Sequence, residues 1–174
     1  MYTVFTIGHS THDPGTFNEL LDGHGVALVV DVRRYPGSRR VPWTNAGEIE
    51  RALAVKYLHL PELGGRRRPA LDSPNGFWRN DGFRGYADHM GSGEFAAGLE
   101  RLLGAAARLR PAVMCAEGLW WRCHRRLVAD ALVVRGVEVL HVDPRGKAEP
   151  HRRNEAAAVA DGRLVYPPEP PVVG

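Results

Sequence analysis

A chain of 174 residues, 44% hydrophobic and 25% charged, is long enough to bury a core and has the composition of an ordinary globular domain. It contains no apolar run near the ~20 residues that cross a bilayer, and two cysteines exclude a disulfide scaffold. A net charge of +3 is a weak footprint for nucleic acid, although the basic residues are 21 Arg against 2 Lys.

The opening Met1–Ser10 lacks a basic n-region and a cleavage pattern, so no secretory signal and a cytoplasmic location are expected. Tyr2 to Ile7 alternates and is β-branched and aromatic, which predicts a strand. Asp13-Pro14 reads as an N-cap with Pro at the first helical position, Phe17, Leu20 and Leu21 follow at helical spacing, and Gly23 and Gly25 end that helix. Val26 to Val32 is a continuous apolar run, as in a strand covered on both faces. Residues 33–48 read as a loop, Ala46 to Ala54 as a short helix and Lys56 to Leu60 as a short strand. From Pro61 to Arg84 the chain is rich in Gly, Pro and Arg, which is long for a structureless connection and points to a binding loop or lid. Phe95 to Leu109 is an amphipathic helix stopped by Pro111. Ala112 to Cys115 is the next strand, Leu119 or Trp120 to Val134 the next helix with Gly136 as its cap, and Val137 to Val142 the last core strand. The stretch from residue 167, mostly Pro and Val, reads as extended or loosely docked.

These elements predict an α/β fold: a single domain over residues 1–145, Rossmann-like in three layers, with a mostly parallel sheet and helices on both faces. The Gly/Pro/Arg-rich loop is inserted near residues 61–84, and residues 146–174 form a partly irregular C-terminal extension. Ligands of such sheets bind beyond the carboxyl ends of the strands. That edge collects His9 and Ser10, Asp31, Arg33 and Arg34, His59, Cys115 and Glu117, and His141 and Asp143. Each has a structural alternative. His9 and Ser10 serve equally as a helix cap, Asp31 as a buried partner of Arg33 or Arg125, and Cys115 as a small buried hydrophobe.

Cys115 is the candidate nucleophile, with Glu117 and His9 as proton carriers. Ser10, Asp31, Arg33, Arg34, Cys123, His124 and Arg125 are the candidate binding residues. A thiol near a helix N-terminus with Arg close by ionises readily. Strand, Cys, loop and helix with an Arg is also the layout of rhodanese-like sulfurtransferases and cysteine phosphatases. Here six residues separate Cys115 from Arg122, more than those loops use. Glu117 would also repel an anion, by about 4 kcal/mol at ~4 Å and an effective dielectric of 20. Cys115, Cys123, His124 and His9 are legitimate zinc ligands, but Cys-x7-Cys-His is not a zinc-finger spacing, so neither metal nor cofactor is expected. Gly-x-Gly-x-x-Gly, P-loop and Gly-x-Ser-x-Gly motifs are absent.

Thr6-Ile-Gly-His-Ser10, Asp31-Val-Arg33 with Pro36 and Ser38, and Tyr57-Leu-His-Leu-Pro-Glu-Leu-Gly-Gly65 occur in this order. Tyr86 with Met90, Met114-Cys-Ala-Glu117 and Cys123-His-Arg125 follow. Together they closely resemble the domain of unknown function 488 family, over roughly residues 3–145. The resemblance implies a small cytoplasmic α/β protein of bacterial or archaeal type, and carries over His9, Ser10, Asp31, Arg33, Cys115, Glu117, Cys123, His124 and Arg125.

The first functional expectation is an enzyme acting on a small phosphorylated or nucleotide-like ligand, a small anionic partner gripped by Arg33, Arg34 and Arg125. A second is a nucleic-acid-binding module, with the Arg33–Arg40 and Arg66–Arg68 clusters on phosphates and Trp43, Trp78 or Trp120 stacking on bases. A third is a non-catalytic scaffold in which the polar motifs are salt bridges and caps. No membrane partner is expected, and the pattern sets no oligomeric state.

Overall fold

Alternation along the first strand sends its side chains into two separate cores. In β1 (Thr3–Gly8), Phe5 and Ile7 face one side and Val4 the other. The computed structural model describes residues 2–170. On the Phe5 side, α1 (Pro14–Gly23) contributes Phe17 and Leu21, and the single turn α2 (Ile49–Ala52) contributes Ile49. On the Val4 side lie α3 (Asp81–His89), α4 (Gly93–Ala106) and α5 (Arg125–Val134), which bury Tyr86, Leu99, Leu102, Leu127 and Leu132.

Between these layers run β2 (Leu28–Asp31), β3 (Lys56–His59), β4 (Pro111–Cys115), β5 (Glu138–Val142) and β6 (Ala148–Pro150). The sheet order is β3-β2-β4-β1-β5-β6; β1 to β5 pair in parallel and β6 is antiparallel to β5. This is the expected α/β fold, a mostly parallel sheet with helices on both faces. The chain steps from β1 outward to β2 and β3 with α1 and α2 on one face. It then returns to β4 and on to β5 with α3, α4 and α5 on the other. Helices change face when the direction of travel reverses, because each crossover is right-handed. The exits of β1 and β2 therefore diverge from that of β4, their shared neighbour, and open a crevice above it.

Local signals placed the early elements well. The Asp13 carboxylate accepts the Thr16 N–H at 2.8 Å as the cap of α1, and Gly25 leaves that helix at φ +62, a left-handed turn that favours glycine. Other elements depart from expectation. β2 is four residues, shorter than the apolar run. The 61–84 stretch starts with a 3-10 turn at Pro61–Leu63 and is loop only as far as Asn80, whose side chain caps α3 by accepting the Phe83 N–H at 3.1 Å. Gly82 and Gly85 lower the helical propensity of α3 and hid it. Gly85 is required because a Cβ there would lie 2.1 Å from the Arg67 carbonyl oxygen. The helix expected from Leu119 or Trp120 begins only at Arg125; Trp120–Arg122 is a 3-10 turn, and Cys123 is extended.

The later chain is more regular than its composition suggested. β6 extends the main sheet, and β7 (Ala158–Ala160) pairs with β8 (Arg163–Val165) in a hairpin. After the hairpin, buried Tyr166 ties this segment to the long loop. Its N–H donates to the Asn75 side chain at 2.8 Å, its carbonyl accepts from Phe77, and its hydroxyl donates to Asp130 at 2.7 Å. Asp88 holds the same loop by accepting from Ala70, Ser73 and Asn75. Part of the expectation of a loose Pro/Val tail falls on residues 171–174, which lie outside the described residues. None of the described helices is long and apolar enough to cross a membrane.

Replacing Tyr166 by Phe leaves a buried Asp130 oxygen short of a donor. The expected cost is about 1–3 kcal/mol, or roughly 2–4 °C in melting temperature per kcal/mol, read by thermal unfolding. Leu71→Ser, at an exposed position, is the control and stays within about 0.5 kcal/mol.

Candidate active site

The crevice above β4 is a cavity of about 300 Å³ lined by groups from separate strand exits: His9, Arg33, Cys115 and Glu117, with Cys123 and His124 from the approach to α5. The pairings Gly8↔Cys115 and Asp31↔Met114 align these exits. The contact extends past the sheet, since the His9 N–H donates to the Cys115 carbonyl at 2.9 Å and the Ser10 N–H to Ala116 at 3.0 Å. Gly8 permits this approach, because a Cβ there would lie 1.9 Å from the Glu117 carbonyl oxygen.

Asp31 and Arg33 form one fork. Arg33 Nε and Nη2 donate to the two Asp31 oxygens at 3.0 and 2.8 Å, and Nη2 also reaches the Thr44 carbonyl at 2.6 Å. The Tyr57 hydroxyl donates to Asp31 at 2.7 Å. Burial and the adjacent Asp31 charge push the Tyr57 hydroxyl well above the usual phenol range, which keeps it a donor. Asp31 is completely buried, so its work is to hold Arg33. The free Arg33 Nη1 lies 3.4 Å from His9 Nε2. His9 Nδ1 donates to the Ser10 carbonyl at 2.9 Å, which leaves Nε2 as the acceptor of a neutral ring. Burial lowers the His9 pKa, and the Arg33 charge adds to that.

Beneath the cavity lies Arg125, completely buried and without a carboxylate within salt-bridge distance among the described residues. Its backbone N–H and its Nε donate to Cys123 Sγ at 3.2 and 3.3 Å. Nη1 donates to the Thr6 hydroxyl at 3.2 Å and Nη2 to the Glu117 carbonyl at 2.5 Å. Cys123 Sγ is 3.1 Å from Cys115 Sγ. Burial pushes the Cys115 thiol well up. Burial opposes ionisation of Cys123 too, but the Cys115 hydrogen bond and the Arg125 guanidinium lower its thiol below the usual range, while burial lowers the pKa of neighbouring His124 and disfavours a charge there. The two N–H donors that Arg125 aims at Cys123 Sγ favour the negative charge on that sulfur and the proton on Cys115.

Thr6 continues the network through the Val4-side core. Its oxygen accepts from Arg125, so its proton points to His141 Nδ1 at 2.6 Å. His141 Nε2 then donates to His151 Nδ1 at 2.9 Å, and His151 Nε2 to Asp130 Oδ1 at 2.8 Å. His141 is neutral, because burial and the neighbouring His151 and Arg125 push its pKa down to about 2. Trp120 stacks on it at 4.1 Å between centroids.

The rim is cationic. Arg34 donates to the Arg66 carbonyl at 3.2 Å, and both line the cavity without a carboxylate partner among the described residues. Among the described residues Glu117 is the only carboxylate of the lining; its Oε1 accepts from the Leu119 N–H at 3.1 Å. His124 lines the cavity too, with Nε2 buried and without a partner.

His9, Arg33, Arg34, Cys115, Glu117, Cys123 and His124 thus meet at one cavity. Asp31 and Arg125 stand behind it as supports, and Ser10 is outside the lining, packed against Gly118 at the left-handed φ of 47. The tryptophans considered for base stacking are engaged within the fold. Trp78 is buried, Trp43 donates to the His12 carbonyl and packs on Phe17, and Trp120 donates to Glu149. The sequence reading missed Thr6, Tyr57, Asp130 and His151 as members of the network, and His141, expected at the carboxyl edge, is buried within it. The available signal was a polar residue at each buried position of otherwise apolar elements. Among the described residues, no group of three or more His, Cys, Asp or Glu is gathered as metal ligands would be.

The family model described as Domain of unknown function DUF488 matches residues 14–132, which take in Asp31, Arg33, Cys115, Glu117 and Cys123–Arg125 but not His9 or Ser10. No curated protein and no solved structure matches the chain.

Arg125→Lys keeps the charge but loses the fork that reaches sulfur, hydroxyl and carbonyl together. The Cys123 thiol then rises toward the free value of about 8.5. Because alkylation requires the thiolate, the iodoacetamide rate at Cys123 falls about tenfold for each unit by which its pKa comes to exceed the working pH. A pH profile of alkylation, located by peptide mass spectrometry, checks this; an unmoved profile contradicts it.

Proposed function

The chain belongs to the DUF488 family, and from that premise we propose that it is an enzyme acting on a small anionic ligand, phosphorylated or nucleotide-like, at the carboxyl edge of the sheet. One observation carries the reading: a buried guanidinium with no acid partner among the described residues donates to the Cys123 sulfur at the floor of a cavity whose rim is cationic. Structural salt bridges alone do not account for it, since Asp31 already satisfies Arg33 while Arg34 and Arg66 have no acid partner among the described residues. A perturbed thiol in a cleft with specific charge partners is the usual mark of a functional site.

In this reading Arg34 and Arg66 grip the anion, with the charge of Arg33, whose Nη1 lies 3.4 Å from His9 Nε2, close by. The nucleophilic role considered for Cys115 falls to its ionised partner Cys123, and Cys115 keeps the proton. His9 Nε2, an acceptor on a neutral ring, takes a proton from the ligand or an attacking water, and Glu117 is the second acid–base group. Attack by Cys123 on an electrophilic centre places the leaving group toward the rim arginines, which offset its developing charge.

Protection from alkylation tests this. Inorganic phosphate and adenosine monophosphate are each expected to slow iodoacetamide at Cys123 in a saturable way. Replacing both Arg34 and Arg66 by Ala should weaken that protection by about tenfold, on the order of 1.4 kcal/mol. Alkylation indifferent to both anions, in a protein that unfolds normally, rejects the reading.

A further inference from the structure

Single-nucleophile chemistry leaves one sulfur of this site without work. Cys115 and Cys123 are the only cysteines of the chain, they lie eight residues apart on different elements, and their Sγ atoms meet at 3.1 Å on the wall of one cavity. The two differ in access: Cys115 is buried at the end of β4, while Cys123 is partly exposed and carries the two N–H donors of Arg125. This is the division between an attacking thiolate and a resolving thiol. The sulfurs need close by only about 1 Å to reach bonding distance. The neighbouring lining supplies cations, Arg34 and Arg66, and a volume at the small end of ligand sites.

We propose that Cys115 and Cys123 are a redox-active dithiol that reduces anionic low-molecular-weight disulfides in this cavity. The inference rests on the anion-binding reading above and names the bond that is broken. The Cys123 thiolate attacks one sulfur of the bound disulfide; a Cys123–sulfur bond forms, the substrate S–S bond breaks, and the first arm leaves as a thiolate that takes a proton from water. Cys115 then attacks Cys123 Sγ, giving its proton to the second arm as that arm departs. Two electrons pass from the protein to the substrate, leaving one Cys115–Cys123 disulfide and two small thiols. An external dithiol restores the protein. Arg125 stays charged throughout and favours Cys123 as the thiolate released on reduction.

The reduced full-length protein is incubated with glutathione disulfide, then measured by intact mass and by thiol count in denaturant. Wild type is expected to lose two hydrogens in mass and both thiols, releasing about two equivalents of glutathione. Cys115→Ser is expected to stop at a mixed disulfide on Cys123 with about one equivalent released, and Cys123→Ser to react at least tenfold more slowly. Wild type that keeps both thiols, or a Cys123→Ser protein that reacts at the wild-type rate, overturns the proposal. The wild-type mass and thiol count decide it even where a variant folds poorly. Phosphate protection of Cys123 with no disulfide formed rejects the dithiol and leaves the anion-binding reading standing. Disulfide formed with no protection by anions rejects the reading, and with it the anionic class of substrate.

Discussion

A completely buried guanidinium with no carboxylate beside it among the described residues is the constraint around which this molecule is arranged. Taking such a charge out of water costs on the order of several kcal/mol, and only good geometry offsets it. Arg125 meets that demand by contacting β1 through Thr6, the exit of β4 through the Glu117 carbonyl, and its own approach segment through Cys123. The central strands and the start of α5 are thereby fixed to one group. Because two of those partners are neutral oxygens, the sulfur is the partner on which the guanidinium favours a negative charge. Stability of the buried cation and ionisation of the thiol are the same interaction seen from two sides.

Topology places this interaction where a ligand can reach it. The divergence of the β1 and β2 exits from that of β4 makes the crevice, and Gly8 lets the Glu117 backbone close against β1. That closure brings the Glu117 carbonyl to Arg125 and aligns His9 with Cys115. The long segment before α3 completes the rim, since Gly65 packs on His124 and Arg66 faces Arg34. Asp88 and Tyr166 order that segment from below, so a rim residue depends on contacts made far from the cavity.

Strand alternation, the Asp13-Pro14 cap and the apolar runs made the layers and the parallel sheet legible in the sequence. The cluster at the carboxyl edge followed from them, because parallel strands deliver their last residues to one side. What was hidden had weak local signals. The two glycines of α3 masked its period. The 3-10 turn and extended Cys123 broke a pattern that looked like one helix from Trp120, and they decide which backbone and side-chain N–H groups reach the sulfur. The short β6 and the β7–β8 hairpin lie in polar chain whose order comes from tertiary contacts. The division of charge between the two thiols follows only from three dimensions, since it depends on which of them Arg125 touches.

The remaining acid of the network shows why its distance matters. Asp130 is buried on the same helix as Arg125, yet two imidazoles and the Thr6 hydroxyl stand between them. A direct ion pair would satisfy the guanidinium and remove its pull on sulfur; Cys123 would then hold its proton as burial favours. Relayed through His141 and His151, the carboxylate instead orients the hydroxyl that accepts from Arg125 and leaves the Nε face to the thiolate. The low pKa of His141 keeps that imidazole neutral, so it adds no charge beside Arg125. Polar residues in α5 and β5 that would weaken an apolar core thus hold the arginine without neutralising it, and the chemistry of the site depends on that separation.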